Sequence, residues 1–354
     1  MTADFAAALQ ARGAVMGDVH GMTLPLHFGD PGREWRAARE GSAVFAATYR
    51  ALVQASGEDR ITFLQGMLTN DVKALELGMG LYAALLTQQG RVVSDMRVFA
   101  ENDRTLLDVL AWRRDAVRAA LEQFIVADDV ELEAAAEAPA IGIVGPFAAA
   151  LAGEMLGAEV KQGAAHTLAR TTFESTPVLV MAVSEAGVDA LLFGAMPDTA
   201  PSLFAAAVEA GAQPMGMTAL DVVRVERGVP WAGVDMDEST LLMETGCDAA
   251  ISFTKGCYLG QEVVERVAAR GHVNRHLTGL LLDGPRLPAA GAPLLAEGRE
   301  VGYVTSAVHS QALDRPIALA MVQRKHAAPG ERMEIQSGGS GIVAALPFVP
   351  GNTD

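Results

Sequence analysis

The stretch Tyr49–Asp71, YRALVQASGEDRITFLQGMLTND, decides how the N-terminal part of the chain folds. Residues 49–55 are a candidate strand, Gly57 interrupts that strand, and Asp59 is placed to cap a helix. The predicted helix carries the apolar residues Phe63, Leu64, Met67 and Leu68. This stretch therefore predicts a strand followed directly by a helix.

The same alternation continues beyond this stretch. Residues 81–87 and 91–99 are predicted to form a hairpin around a Gln-Gln-Gly turn. A strand over residues 105–110 and a helix over residues 113–126 follow it. Strand, helix, hairpin, strand and helix in this order are typical of a split β-α-β, ferredoxin-like layer packed against helices.

Two further regions follow this layer. After a boundary near Ala134–Pro139, strands over 141–144 and 178–183 and a helix over 200–211 indicate a second α/β region. From about Leu277, short β-like runs alternate with Gly and Pro turns, as in a small barrel or sandwich. We therefore predict an α+β chain of three regions, at residues 1–136, at residues 137–272, and as a C-terminal β-barrel at residues 273–354.

Composition excludes several classes of protein. Half of the 354 residues are hydrophobic, so the chain can bury a large core and is not disordered. The 27 basic and 43 acidic side chains give a net charge of −16, which repels nucleic-acid phosphates. We find neither a signal-peptide pattern nor an apolar stretch long enough to span a membrane. Because the only cysteines are Cys247 and Cys257, no disulfide framework is expected, and we predict a cytoplasmic protein.

The most specific short motif is K-G-C-Y-L-G-Q-E at residues 255–262. Cys257 lies between two glycines, two residues after Lys255 and just before an amphipathic helix. A nearby ammonium group and a helix N-terminus both favour the reactive thiolate. The alternative is a buried, inert thiol in a tight turn, which is the commoner role of cysteine.

Asp95 is a second candidate for chemistry. It lies on the second predicted hairpin strand, where Val93, Arg97 and Phe99 share its face. A carboxylate on such a mostly apolar face is either solvated at a sheet edge or held in a cleft as an acid or base. The pattern alone favours the solvated alternative.

Other kinds of site have weak support. The two cysteines and the His272/His276 pair have a spacing far from that of a zinc finger, and the acidic residues 235–238 lack the pattern of a calcium loop, so we expect no metal. The cationic residues between 266 and 276 can hold an anionic tail or form a salt-bridged helix face, and the second is expected. The sequence contains no phosphate loop, dinucleotide fingerprint or serine nucleophile elbow.

The chain resembles the aminomethyltransferase (glycine cleavage T-protein) superfamily, and specifically its YgfZ-type folate-binding branch. The similar segments extend over nearly the whole chain, and K-G-C-Y-x-G-Q-E is the signature of that branch. The segments are Pro25–Asp30, Phe63–Gly66, Thr69–Asp71, Arg224–Pro230, Gly233–Asp235, Lys255–Glu262 and Gly302–Ser306.

This resemblance implies three domains in a ring around a central channel that binds tetrahydrofolate or a folate derivative. It also implies a role in making or maintaining iron–sulfur enzymes, including ones that modify tRNA, with iron–sulfur proteins as partners. A ring that closes within one chain favours a monomer. Cys257 stands at the cysteine on which the branch depends, and the motif around it consists of Lys255, Gly256, Tyr258, Gly260, Gln261 and Glu262.

The resemblance also assigns the folate site. Asp95 stands where the transferases have their folate-side catalytic carboxylate, and we place folate near it with Met67 and Tyr82 in the apolar lining. The transferases' Gly-Tyr-x-Gly-Glu stretch, whose Glu holds the pterin, has no clear counterpart around Thr171–Pro177. An arginine that they place near the folate aligns with Leu220.

These features lead to two hypotheses. The first is a folate-binding accessory protein for iron–sulfur enzymes, in which the Cys257 thiolate handles sulfur, electrons or a cluster. The second is a tetrahydrofolate-dependent aminomethyl or one-carbon transferase, in which Asp95 orients or deprotonates a folate nitrogen. A scaffold that has kept the fold without the ligand is a weaker third alternative. The sequence leaves open whether the chain is an enzyme.

Overall fold

The computed structural model describes residues 1–160, 166–336 and 338–350. Within these residues, none of the helices is long and apolar enough to cross a membrane. The helices are α1 (Ala3–Ala11), α2 (Pro31–Glu40), α3 (Arg60–Met67), α4 (Arg114–Glu122), α5 (Ala148–Leu156), α6 (Ala200–Glu209), α7 (Met217–Glu226) and α8 (Gln261–Arg270).

The strands are distributed over a short hairpin, two larger sheets and a barrel. They are β1 (Val15–Val19), β2 (Met22–His27), β3 (Ala43–Ala46), β4 (Arg50–Ser56), β5 (Gly80–Leu86), β6 (Val92–Ala100), β7 (Thr105–Leu110), β8 (Glu131–Ala134), β9 (Ala138–Val144), β10 (Thr167–Phe173), β11 (Thr176–Glu185), β12 (Val188–Ala195), β13 (Gln213–Met215), β14 (Arg275–Leu282), β15 (Pro293–Ala296), β16 (Arg299–Ser310), β17 (Arg315–Gln323), β18 (Arg332–Ile335) and β19 (Ser340–Ala344).

The first sheet is built from the strands of the predicted N-terminal layer. Its strands are antiparallel in the order β5-β6-β7-β4-β8, and α3 and α4 cover one face through an apolar cluster that includes Phe63, Leu64 and Val117. The element order confirms the predicted strand, helix, hairpin, strand and helix. The predicted cap is different, because the Asp59 carboxylate accepts a hydrogen bond from the backbone N–H of Asp129 (2.9 Å) and none from α3.

A β-bulge changes which side chains of β6 share a face. The pairing register between β5 and β6 shifts between Leu85 and Leu86. As a result, Val93 packs with Met96 and Val98 in the cluster beneath α3 and α4. The expectation that Val93 shares a face with Asp95 is therefore wrong, although Arg97 and Phe99 do lie on the Asp95 side of the strand.

The second sheet has the order β10-β11-β12-β9-β3-β13 and lies against the free face of the first. Its strand β3 and its covering helix α1 come from the N-terminal part of the chain, whereas α5 and α6 come from the middle. Apolar side chains of both sheets and of α7 form one core between the sheets, which includes Leu52, Ala84, Leu179, Leu192 and Leu220. The second sheet is thus assembled from both sides of the predicted boundary at residues 136/137.

The C-terminal part forms the predicted barrel. Strands β14-β17-β16-β15-β18-β19 close into a barrel around an apolar interior that includes Leu280, Val304 and Ala320. The boundaries at residues 136/137 and 272/273 remain predictions. Parts of the predicted regions, residues 161–165, 337 and 351–354, lie outside the described residues.

A buried ion pair connects α7 to the barrel. The Arg224 guanidinium donates to the Asp235 carboxylate (2.6 Å), which also accepts hydrogen bonds from the hydroxyls of Thr305 (2.6 Å) and Ser306 (2.7 Å). A second Arg224 nitrogen donates to Ser306 (2.9 Å), and the guanidinium lies over the Trp231 ring, 4.6 Å from its centroid. Three of the segments that carry the family resemblance therefore meet in one structural network.

Candidate functional site

A cavity of about 420 Å³ lies between the two large sheets, next to the segment that follows α7. This volume lies within the ordinary range of small-molecule sites. Its walls combine aromatic, charged and thiol side chains from distant parts of the sequence. Those that bear on its chemistry are Tyr82, Asp95, Arg97, His166, Glu185, Arg227, Trp231 and Cys247.

Asp95 presents an unpaired carboxylate oxygen inside this cavity. One oxygen, Oδ2, accepts a hydrogen bond from the Tyr82 hydroxyl (2.9 Å), whereas Oδ1 is buried and has no hydrogen-bond partner in the described structure. Burial raises the pKa of Asp95, although Arg50 and Tyr82 oppose that shift. The expectation of a solvated carboxylate at a sheet edge is wrong, because β6 lies between β5 and β7 and its Asp95 side faces the second sheet.

Tyr82 links this carboxylate to a cysteine. The Tyr82 hydroxyl lies 3.6 Å from Cys247 Sγ. Burial and the neighbouring Asp95 raise the pKa of Tyr82 well above its ordinary value of 10 and raise the pKa of Cys247 to about 11. At neutral pH both groups keep their protons. The Tyr82 proton is donated to Asp95, so Cys247 adds a weak S–H donor beside the unpaired Asp95 oxygen.

A buried network of charged groups lies next to Asp95 in the cavity wall. Arg97 donates to Asp108 (2.8 Å) and to Glu185 (2.7 Å), and Arg50 donates to Asp108 (2.8 Å). Burial opposes ionisation of Glu185, but Arg97 and Arg50 prevail and lower its pKa. The two arginines and two carboxylates neutralise one another and are held in place by their mutual hydrogen bonds.

Two of the predicted folate contacts have different surroundings. Tyr82 lies in the cavity as predicted, but Met67 packs under α3 on the opposite face of the first sheet. The prediction of Met67 as lining is therefore wrong, because α3 covers the face that points away from the second sheet. A glutamate of the second sheet does reach the cavity, but it is Glu185 at the β11–β12 turn and not a residue of Thr171–Pro177.

Several cavity residues were not identified from the sequence. His166, Arg227 and Trp231 belong to segments that come together only when the two sheets pack. Trp231 follows the motif Arg224–Pro230, which was the one available signal for it. Arg227 lies inside the same motif, whereas His166 has no local pattern that distinguishes it from surface residues.

Lys255 of the cysteine motif points into the protein. Its ammonium donates hydrogen bonds to the backbone carbonyls of Gln65 (2.6 Å), Leu68 (2.5 Å) and Asn70 (3.0 Å), at the C-terminal end of α3. Burial lowers the pKa of Lys255 to about 8. Its donors are directed to these carbonyls, and activation of Cys257 by this ammonium group stays a prediction.

Cys257 is exposed, and its free thiol does not line the cavity. Gly256 before it is exposed too, whereas Tyr258 after it is buried, with its ring 5.0 Å from the Lys255 ammonium. The alternative of a buried thiol in a tight turn is therefore wrong. The structure brings Asp95 and Tyr82 together and places Cys257 on a separate surface.

The end of the motif connects the loop that carries Cys257, residues 252–260 (the cysteine loop), to α8 and to the first sheet. Gly260 has a φ of +83°, and a Cβ at this position would lie 2.6 Å from the Thr87 carbonyl oxygen. The Gln261 side chain accepts a hydrogen bond from the backbone of Tyr258 (3.2 Å) and donates to Glu265 (2.6 Å). Glu262 is exposed in the first turn of α8, where its charge suits the helix dipole.

The cationic residues after the motif lie on α8, on β14 and between them. The expected salt-bridged helix face is not formed, because among the described residues no ion pair includes Arg266 or Arg270. Arg275 lies on β14 and donates to Glu244 (2.9 Å), while Arg266 and Arg270 lie exposed on α8. In the described residues, His, Cys, Asp and Glu side chains form no group of three or more that could hold a metal ion.

The chain thus combines two packed α+β layers, a cavity between them with a buried carboxylate, and a C-terminal barrel. Family models for the GCVT N-terminal domain and for the glycine cleavage T-protein C-terminal barrel domain match residues 5–255 and 275–349. The chain therefore belongs to the glycine cleavage T-protein (aminomethyltransferase) family. This confirms the resemblance at the level of the superfamily.

Individual relatives agree with the family models. An aminomethyltransferase of Thermus thermophilus is 31% identical over 343 residues, which are 96% of each chain. One of Streptomyces avermitilis is 28% identical over 337 residues, covering 90% of this chain and 88% of the relative. The crystal structure of glycine cleavage system aminomethyltransferase T from Bartonella henselae superposes with a TM-score of 0.87 at 21% identity, covering 96% of this chain and 95% of that one, and has the same fold.

Proposed function

We propose that the cavity binds tetrahydrofolate or a close derivative of it. The observation that carries this proposal is the Asp95 carboxylate, whose Oδ1 is buried in the cavity without a partner in the described structure. Nitrogen-bearing heterocycles present N–H donors along one edge, and a carboxylate oxygen is a strong acceptor for them. A ligand of this kind pairs the oxygen that the protein leaves unpaired.

The remaining walls suit the rest of such a ligand. Trp231 and Tyr82 offer aromatic surface, against which flat rings pack favourably. Arg227 reaches the cavity and also a neighbouring cleft that Arg39 lines. A guanidinium at this position complements the acidic end of a folate.

Calorimetric titration of tetrahydrofolate into wild-type, Asp95→Asn and Cys257→Ser proteins tests this proposal. We expect binding to the wild type, weaker binding to Asp95→Asn, and unchanged binding to Cys257→Ser, because Cys257 lies outside the cavity. Absence of binding to the wild type would rule the proposal out.

We further propose that the chain belongs to the YgfZ-type branch and serves iron–sulfur enzymes, including tRNA-modifying ones, through Cys257. The complete K-G-C-Y-x-G-Q-E motif supports this proposal, and so does the exposure of the thiol. Phe253, four residues before Cys257 in the sequence, is 59% exposed. An exposed aromatic residue close in sequence to an exposed free cysteine suits contact with a partner protein.

The role of Cys257 can be measured in cells that lack the chromosomal gene. We expect plasmid-borne wild type and Thr254→Ala, an exposed neighbour, to restore the activity of a tRNA-modifying iron–sulfur enzyme. We expect Cys257→Ser to fail although it accumulates to the same level. Full restoration by Cys257→Ser would contradict this role for the thiol.

The second candidate function is a folate-dependent aminomethyl or one-carbon transferase. The favouring observation is that burial raises the pKa of Asp95 inside the proposed folate cavity, which makes the carboxylate a better proton acceptor. Release of one-carbon units from an aminomethyl donor, measured with wild type, Asp95→Asn and Cys257→Ser, tests this function. Turnover that Asp95→Asn abolishes and Cys257→Ser retains would establish it, and no turnover by the wild type would exclude it.

A further inference from the structure

His166 is fixed at the junction of the two large sheets. The backbone N–H of Gly80, at the start of β5, donates to the His166 carbonyl (2.8 Å), and Met79 pairs with Thr167 in an isolated β-bridge. The imidazole lies edge-on to the Phe99 ring, with 6.4 Å between centroids and 79° between planes. Backbone pairing and ring packing therefore hold the imidazole in one position at the cavity wall.

The imidazole carries an unpaired polar atom. Nδ1 of His166 is buried and has no hydrogen-bond partner in the described structure. Burial and the neighbouring Arg97 lower the pKa of His166 to about 4, so the ring is neutral at physiological pH. Buried polar groups in proteins are normally paired, and an unpaired one in a cavity wall indicates a partner that the protein alone does not supply.

Asp95 provides a second unpaired atom in the same cavity. Asp95 and Phe99 lie on the same face of β6, four residues apart, which corresponds to about 13 Å along a strand. Since His166 packs on Phe99, the two unpaired atoms mark different ends of this face. A single ligand that satisfies both must be elongated and must carry hydrogen-bonding groups at two separate places.

We propose that His166 is a second ligand-recognition residue, whose Nδ1 hydrogen-bonds to a polar edge of the same elongated heterocyclic ligand that Asp95 binds. This inference rests on the proposed folate site and adds a residue to it. A neutral imidazole either donates or accepts at Nδ1, so the ligand selects the tautomer. The guanidinium of Arg97 is already paired with Asp108 and Glu185, which leaves His166 as the adaptable group at this end.

Titration of tetrahydrofolate into two His166 variants tests the proposal. His166→Phe keeps an aromatic ring against Phe99 but removes both nitrogens, and His166→Asn retains a polar group near the position of Nδ1. We expect His166→Phe to weaken binding about tenfold or more, the effect of one unpaired buried group. We expect His166→Asn to bind within about threefold of wild type, which is less than one lost hydrogen bond. His309→Phe, an exposed barrel histidine, serves as the matched control and should bind like wild type.

A spectroscopic readout separates recognition from a purely structural role. The ¹⁵N chemical shifts of the His166 ring must change when tetrahydrofolate is added to the wild type. Wild-type affinity in His166→Phe, or ring shifts that do not move while the ligand binds, would overturn the inference and leave the folate site standing. If wild type binds no tetrahydrofolate, the proposed function itself fails.

Discussion

Lys255 holds the cysteine loop from inside the protein. Its ammonium donates to three carbonyls at the end of α3, one of which, that of Asn70, also accepts the backbone N–H of Val72 (3.1 Å). Because an unpaired buried group costs about 1–3 kcal/mol, we expect Lys255→Met to lower the free energy of unfolding by roughly 2–3 kcal/mol. Urea unfolding measures this loss, and hydrogen exchange over residues 252–260 should show faster opening of the loop.

The exposed Lys73→Met is the control for this substitution and should leave both measurements unchanged. Equal stability and equal exchange in Lys255→Met and Lys73→Met would show that the buried ammonium does not position the loop.

His166 makes stability depend on pH in a defined direction. Its pKa is about 4 in the folded protein against an ordinary value of 6.5, so between these values the unfolded chain binds a proton that the folded chain does not. The free energy of unfolding therefore falls as pH decreases from about 6.5 to about 4, by about 3 kcal/mol at most from this group. Urea titrations at several pH values should show a smaller decrease in His166→Phe than in wild type. Identical pH profiles would contradict the low pKa.

At the scale of elements, the two glycines of the cysteine motif have different reasons to be glycine. Gly260 has a positive φ and lies against the β5–β6 turn, whereas a Cβ at Gly256 would meet nothing within 4 Å. We expect Gly260→Ala to lower the thermal midpoint by several degrees, since about 1 kcal/mol shifts a domain of this size by roughly 2–4 °C. Gly256→Ala should melt like wild type.

The same pair of variants separates folding from function. If Gly256→Ala folds normally but fails to support the iron–sulfur enzyme in cells, the small residue is needed for a partner's approach to Cys257. Equal destabilisation by both substitutions would contradict the geometry of the loop.

The contact between α7 and the barrel is stabilised by the buried Asp235 carboxylate. Asp235→Asn leaves Arg224 with only the half-exposed Asp221 carboxylate as an ionic partner among the described residues. Breaking a buried pair in this way costs about 3–5 kcal/mol, so we expect a loss of that size in urea unfolding. Glu122→Gln, in a pair whose side chains are 47% and 45% exposed, should cost less than about 1 kcal/mol. Similar small losses of unfolding free energy in both variants would show that the Arg224–Asp235 ion pair does not determine stability.

At the scale of the whole molecule, the sequence predicts layers better than it predicts the site between them. Strand and helix patterns are local, so β7 was predicted at its exact bounds and the barrel was recognised from its short strands. The cavity forms only when β6, the β11–β12 turn and the segment after α7 come together, and no local pattern encodes that packing. His166 and Glu185 were missed for this reason, and Met67 was assigned to the wrong face of the sheet.

The bulge in β6 and the direction of Lys255 are further consequences of packing. A single shift of register moved Val93 to the opposite face of β6, which period-2 reasoning cannot detect. The carbonyls that bind Lys255 belong to α3 and the residues just after it, far from Lys255 in sequence. The monomeric state, the cytoplasmic location and the domain boundaries stay predictions.

The crystal structure of this chain with tetrahydrofolate tests the central claim most directly. The account predicts density for the ligand in the cavity between the sheets, with one polar edge at Asp95 Oδ1 and another at His166 Nδ1, and with Cys257 free of contact. Ligand density elsewhere on the protein, or a cavity that stays empty at saturating tetrahydrofolate, would contradict it.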